Sequence, residues 1–221
     1  MERVKLRIDA AAQRSGRCFK DISIVAVTKS AKVPQILEAR DAGLSIFAES
    51  RVQEAMEKIP QVSAEWHMIG HLQSNKLKSA LSLVQTIQSV DSVWLAQKIN
   101  EELLPENKTV SVLLEVNVSG EDEKYGFGPE DIYAAVEGLR PLTQVFVKGL
   151  MGIAPNVTEE APKREAFKKL KNIFIVLKAM KSERFEMRTL SMGMSDDFEI
   201  AVEEGSNMVR LGRAIFGDRK K

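Results

Sequence analysis

Lys29 closes an apolar run that extends from Ile22 to Val27, and Ser30 follows it at once. An ammonium at the end of such a strand is an unusual placement. Lysine is almost never fully buried without a partner, and burial lowers its pKa. A lysine perturbed in this way is a nucleophile that condenses with aldehydes and ketones. Two further segments supply what an aldehyde bearing a phosphate requires. Ser191-Met-Gly-Met-Ser195 sets two hydroxyls around a glycine just ahead of a predicted helix, which is the pattern of an anion site. Arg210-Leu-Gly-Arg213 puts Arg210 and Gly212 on one face of a strand, and glycine there lets a phosphate approach the amides of Gly212 and Arg213. Each segment also has a plain reading: a lysine snorkelling to the rim, a capped Gly/Ser turn, a rim ion pair.

The elements that must position these groups alternate along the chain. The patterning predicts strands over 22–27, 45–48, 65–70, 83–90, 111–118, 144–153, 187–193 and 208–212. Between them it predicts helices over 33–42, 51–58, 73–80, 92–103, 130–139, 159–180 and 196–204, with a further amphipathic helix over 2–14. Pro129-Glu-Asp131 and a Thr158 cap mark two helix starts. This is the α/β class with a parallel sheet, and eight strands match a single TIM-like (β/α)8 barrel carrying an additional N-terminal helix. An open doubly wound sheet is the rival, but no G-x-G-x-x-G follows the first strand. No composition shift divides residues 1–221, so one domain is expected. In such a barrel, functional groups gather at the C-terminal strand ends, and a phosphate site often follows strands seven and eight. All three segments fall in those places.

Composition narrows the function classes. Lys plus Arg number 32 against 31 Asp plus Glu, a net charge of +1 that gives no reason to expect nucleic acid or an anionic membrane as partner. Residues 218–221 form the one basic cluster and read as a frayed tail. Cys18 is the sole cysteine, which excludes an intrachain disulfide. No apolar stretch approaches a membrane span, and the charged N-terminus lacks a signal-peptide core, so a cytoplasmic protein is expected. The glycine-rich segment 119–128 reads as a mobile loop in which Lys124 is a solvated lysine or a transient acceptor.

A Schiff-base lysine, a phosphate cradle and an arginine beside them form the set that pyridoxal 5′-phosphate needs. The chain resembles the pyridoxal phosphate homeostasis protein family, itself similar to the barrel domain of bacterial alanine racemase. The resemblance is carried by Val25-Ala-Val-Thr-Lys-Ser30, Arg51-Val-Gln-Glu54, Trp66-His-Met-Ile-Gly-His-Leu-Gln-Ser-Asn-Lys76, Leu190-Ser-Met-Gly-Met-Ser-Asp196 and Gly205-Ser-Asn-Met-Val-Arg-Leu-Gly-Arg-Ala-Ile-Phe-Gly217. It implies that Lys29 holds the cofactor as an aldimine. It also implies that Ser191 and the amides of Gly212 and Arg213 hold the phosphate, with Ser195 as a neighbour, and that Arg210 faces the pyridine nitrogen. Two positions depart from the family pattern: Ser50 stands where an asparagine is usual, and Arg213 where a threonine is frequent.

His71 ends the third strand and is expected at the cofactor edge. His67 reads as structural, since no cysteine or acidic residue lies at zinc-site spacing, and no metal is expected. Asp91, Glu115 and Asn117 read as organisers of the rim. Arg210 is a permanent cation and disfavours the protonated ring, the stronger electron sink. The racemase-like second base is lacking as well. The resemblance therefore implies a binder and carrier of the cofactor, a monomer that serves pyridoxal phosphate-dependent apoenzymes, and not an enzyme. The alternatives are a weak amino-acid racemase and a Schiff-base aldolase.

Overall fold

The computed structural model describes residues 1–121, 123–180 and 183–217, so the basic tail lies outside the described residues. Eight parallel strands close into a barrel in sequence order: β1 Ser23–Val27, β2 Ile46–Glu49, β3 Glu65–Met68, β4 Thr86–Val90, β5 Val110–Val116, β6 Val145–Gly152, β7 Phe185–Ser191 and β8 Met208–Leu211. The seam joins β1 to β8 with Val25 opposite Arg210 and Ala26 opposite Leu211. Strands packed on both faces are apolar almost throughout, as in β5, where six of seven residues are buried.

Helices α2 Val33–Asp41, α3 Val52–Lys58, α4 Leu77–Leu81, α5 Val93–Leu103, α6 Ile132–Leu139, α7 Glu160–Ala179 and α8 Phe198–Glu203 surround the barrel. Two starts differ from the sequence reading. Pro129–Asp131 is a turn ahead of α6, and α7 is entered through Glu159 with no side-chain cap, so Thr158 does not cap it. Among the described residues, β8 is followed by the short helix α9, Arg213–Phe216.

α1, Glu2–Arg14, packs beside α8. It buries Val4, Ile8, Ala11 and Ala12, one face at helical spacing. Arg7 holds Glu199 through two bonds at 3.0 and 2.7 Å, and Arg14 holds Glu203 at 2.7 Å. Just beyond the helix, Arg17 donates to the carbonyls of Ser206 and Val202. These arginines fasten the N-terminal segment to α8. The main apolar core lies between the strands and the helices. Inside the barrel the apolar cluster is small, with Val25, Ala48 and Met208 packed beside Ile46 and Ile69. Buried polar side chains, among them Gln88, Glu115, Ser191 and Arg210, accompany it.

Candidate functional site

The ladder of β1 runs one residue past the strand: Thr28 N–H donates to the Ala48 carbonyl at 2.9 Å. Lys29 and Ser30 then turn, and Ser30 has φ of 69°, in the left-handed region that non-glycine residues seldom occupy. Alternation carries the face of Val25 and Val27 on to Lys29, which stands at the mouth. Lys29 is exposed, which corrects the reading of it as a buried ammonium.

The buried lysine at this corner is Lys58, at the end of α3. Its Nζ donates to the Thr28 carbonyl at 2.9 Å, to Glu49 Oε1 at 2.6 Å and to Glu54 Oε2 at 2.7 Å. Burial pulls its pKa down, but the two carboxylates outweigh that and hold it above its ordinary value. Burial pushes the Glu54 carboxyl up, and hydrogen bonds from Lys58 and from the Ser30 amide bring it below its ordinary value. Glu49 is wholly buried. It also accepts from Thr28 Oγ1 at 2.6 Å, while its Oε2 has no partner among the described residues.

Across the seam, Gly212 separates β8 from α9. Among the described residues, the amides of Gly212 and Arg213 have no acceptor, and Ser195 Oγ accepts from the Ala214 amide beside them at 3.2 Å. A Cβ at position 212 would lie 3.4 Å from the Val27 carbonyl, an ordinary contact. The fold therefore does not itself demand glycine here. The Arg213 side chain is exposed and pairs with Asp196. At Gly193, φ is 93° and a Cβ would lie 2.5 Å from that of Ala201, so α8 can close down only over glycine.

Ser191 is the last residue of β7. It is fully buried; its Oγ donates to Gln88 Oε1 at 2.7 Å and accepts from Arg210 Nη1 at 2.8 Å. Arg210 is buried too, with Nη1 also on the Ser191 carbonyl at 2.8 Å and Nη2 on the Gly152 carbonyl at 3.0 Å. Gln88 Nε2 meets His67 Nδ1 at 2.7 Å, and His67 Nε2 meets Glu65 Oε1 at 2.8 Å. A line of polar groups thus crosses the barrel beneath the mouth. Burial lowers the Arg210 pKa to about 10 against the pull of Glu115 and Asp197. Burial raises Glu115 to about 7; Arg210 opposes the shift and Asp91 adds to it.

The other rim residues are tied to one another. His71 Nδ1 lies 2.8 Å from Asp91 Oδ2, and its ring stacks on Tyr125 with centroids 3.7 Å apart. Ser50 is half-buried just past β2, with its backbone against Gly70. Asn117 organises the loop after β5 by donating to the carbonyls of Glu121 and Lys124 at 2.8 and 3.1 Å. Phe127 bridges back to Val116, so the loop is fastened at its base, and Lys124 pairs with Glu121 at 2.6 Å. The structure thus brings Lys29, Gly212, Arg213 and Ser195 to the mouth, and sets Ser191 and Arg210 below it. Sequence reasoning missed Lys58, Glu49, Glu54 and Gln88. The i,i+4 spacing of Glu54 and Lys58 was an available signal, as was an amide at Gln88 within an apolar strand.

Residues 3–220 match the family model described as alanine racemase, N-terminal domain. The chain is 38% identical over 220 residues to the pyridoxal phosphate homeostasis protein of Pseudomonas aeruginosa, covering 98% of this chain and 93% of that protein. The chain belongs to the pyridoxal phosphate homeostasis protein family. A member from Aquifex aeolicus is 37% identical over 223 residues, covering 100% of this chain and 97% of its own length. Within the same likeness, the structure of PipY from Synechococcus elongatus with PLP bound superposes with a TM-score of 0.82 at 31% identity, over 94% of this chain and 100% of that one. Among the described residues, no helix is long and apolar enough to cross a membrane.

Proposed function

We propose that this chain binds pyridoxal 5′-phosphate through Lys29 and buffers or delivers it in the cytoplasm, without strong catalysis of its own. The β1–β8 seam is the observation that carries the reading. It sets the Lys29 turn beside two amides that have no acceptor among the described residues and a half-buried hydroxyl. That donor set fits a phosphate. The lack of a side chain at Gly212 fits its approach to the amides, and an amine two residues beyond Val27 fits an aldehyde on the same molecule. The lysine amine adds to the aldehyde carbon and water leaves, which holds the cofactor covalently and reversibly. Ser191 and the amides of Gly212 and Arg213 hold the phosphate, with Ser195 as a neighbour. Ser191 fixes Arg210 from below, where that side chain faces the pyridine nitrogen. Ser50 and His71 border the ring.

Arg210 also supports a carrier over an enzyme. At about 10 its guanidinium still keeps its proton at neutral pH, so it withholds a proton from the ring nitrogen and leaves the ring a weak electron sink. The reading takes the chain as a monomer with pyridoxal phosphate-dependent apoenzymes as recipients. The purified protein is expected to show an imine absorption band, and borohydride followed by peptide mapping to find the label on Lys29. A colourless protein, or label elsewhere in the parent chain, overturns the assignment. Racemisation of alanine at enzyme-like turnover overturns the carrier reading in favour of a racemase.

A further inference from the structure

The turn that presents Lys29 is gripped on both sides by one ion pair. Lys58 donates to the carbonyl of Thr28, the residue before Lys29, at 2.9 Å. Glu54, four residues earlier on the same helix, accepts from the amide of Ser30, the residue after it, at 3.3 Å. The two ends of the grip meet in the Lys58–Glu54 bond at 2.7 Å. Glu49 closes a second ring, bonded at once to Lys58 and to the Thr28 hydroxyl. We propose that Glu54 and Lys58 are positioning residues for Lys29. By fixing the peptide on each side of it, they set where its flexible stem begins and in which direction it leaves the backbone.

This inference rests on Lys29 being the attachment point. Its physical ground is Ser30. A serine held at φ of 69° stays there only where its surroundings over-determine it, and the bond from its amide to Glu54 supplies that restraint. With that restraint gone, Ser30 relaxes toward negative φ and the Lys29 stem swings with it. A four-carbon stem then has to search for the aldehyde instead of starting beside it, and misplacement of a reacting group is costly in rate. Lys58 is a positioning group here, because its three donors are engaged by Thr28, Glu49 and Glu54.

The test uses the full chain freed of cofactor and measures two things. The first is hydrogen exchange at the Ser30 amide, read by NMR without any ligand. The second is the rate at which added pyridoxal 5′-phosphate labels Lys29, trapped by borohydride and mapped. Glu54→Gln is expected to speed Ser30 exchange and slow Lys29 labelling by about tenfold while the melting temperature moves little. Lys58→Met should do the same or more; because it also strands Glu49, the Glu54 variant carries the decision. Parental Lys29 labelling with Glu54→Gln unchanged in both readouts overturns the clamp alone. A Ser30 amide that already exchanges freely in the parent also overturns it. A parent that never labels Lys29 overturns the cofactor reading, and Ser30 exchange then still reports the clamp separately.

Discussion

The β1–β2 corner of the mouth and the β7–β8 corner are built in opposite ways. At the first, nearly every polar group has a partner inside the protein: Thr28, Glu49, Glu54 and Lys58 hold one another, and Gly70 lets the backbone of Ser50 press close. At the second, two amides have no acceptor among the described residues, and a Cβ at Gly212 would meet only ordinary contacts. A closed network fixes a shape, and open donors wait for a ligand. The contrast separates what the fold needs from what a ligand needs, which burial alone does not do.

Substitution of the two glycines breaks or sharpens that contrast most directly. A Cβ at Gly70 would stand 2.1 Å from the Ser50 carbonyl oxygen, so Gly70→Ala must displace backbone. It is expected to cost about 3 kcal/mol in urea unfolding. A cost within measurement error would show that this corner is looser than its contacts imply.

The next largest effect belongs to Glu115, on β5 across the barrel from both corners. Its carboxyl titrates near about 7 when folded, against an ordinary 4.5. Between those values the folded chain keeps a proton that the unfolded chain has lost, so stability falls as pH rises through that window. Glu115→Gln removes the loss. Its melting temperature is expected to gain on the parent's between about pH 5 and pH 8, a relative stabilisation on the order of 2 kcal/mol. A difference that stays flat with pH would place the titration elsewhere.

Gly212→Ala has the smallest expected effect on the protein itself, within about 0.5 kcal/mol by thermal unfolding without cofactor. Retention of pyridoxal 5′-phosphate in equilibrium dialysis is expected to weaken clearly. Equal retention would move the phosphate away from this corner.

The barrel was legible in the sequence because its signals are local. Apolar runs recur between amphipathic helices, and the order of eight strands along the chain is also their order around the barrel. The rim was only partly legible. The apolar run ends at Val27, as β1 does, but the turn of Lys29 and Ser30 beyond it, which carries the lysine into solvent, has no signal in that run. The burial of Lys58 depends on how α3 packs against the end of β1, which no local pattern encodes. Ser191 followed the motif to the correct strand end. Its depth below the mouth is set by partners at residues 88 and 210, far away in sequence.

The seam has a consequence for the order in which the protein comes into being. Lys29 is made early and Gly212 late, and their corners meet only when β8 docks against β1. The arginines of the N-terminal segment likewise wait for α8, across separations of 185 to 192 residues. During synthesis, the lysine is present long before the β8 end that it meets exists. Contacts so remote in sequence form late in folding. Capture of the ligand by the whole site therefore reports a finished chain, and a ligand that binds only the closed barrel favours it over every partly assembled form.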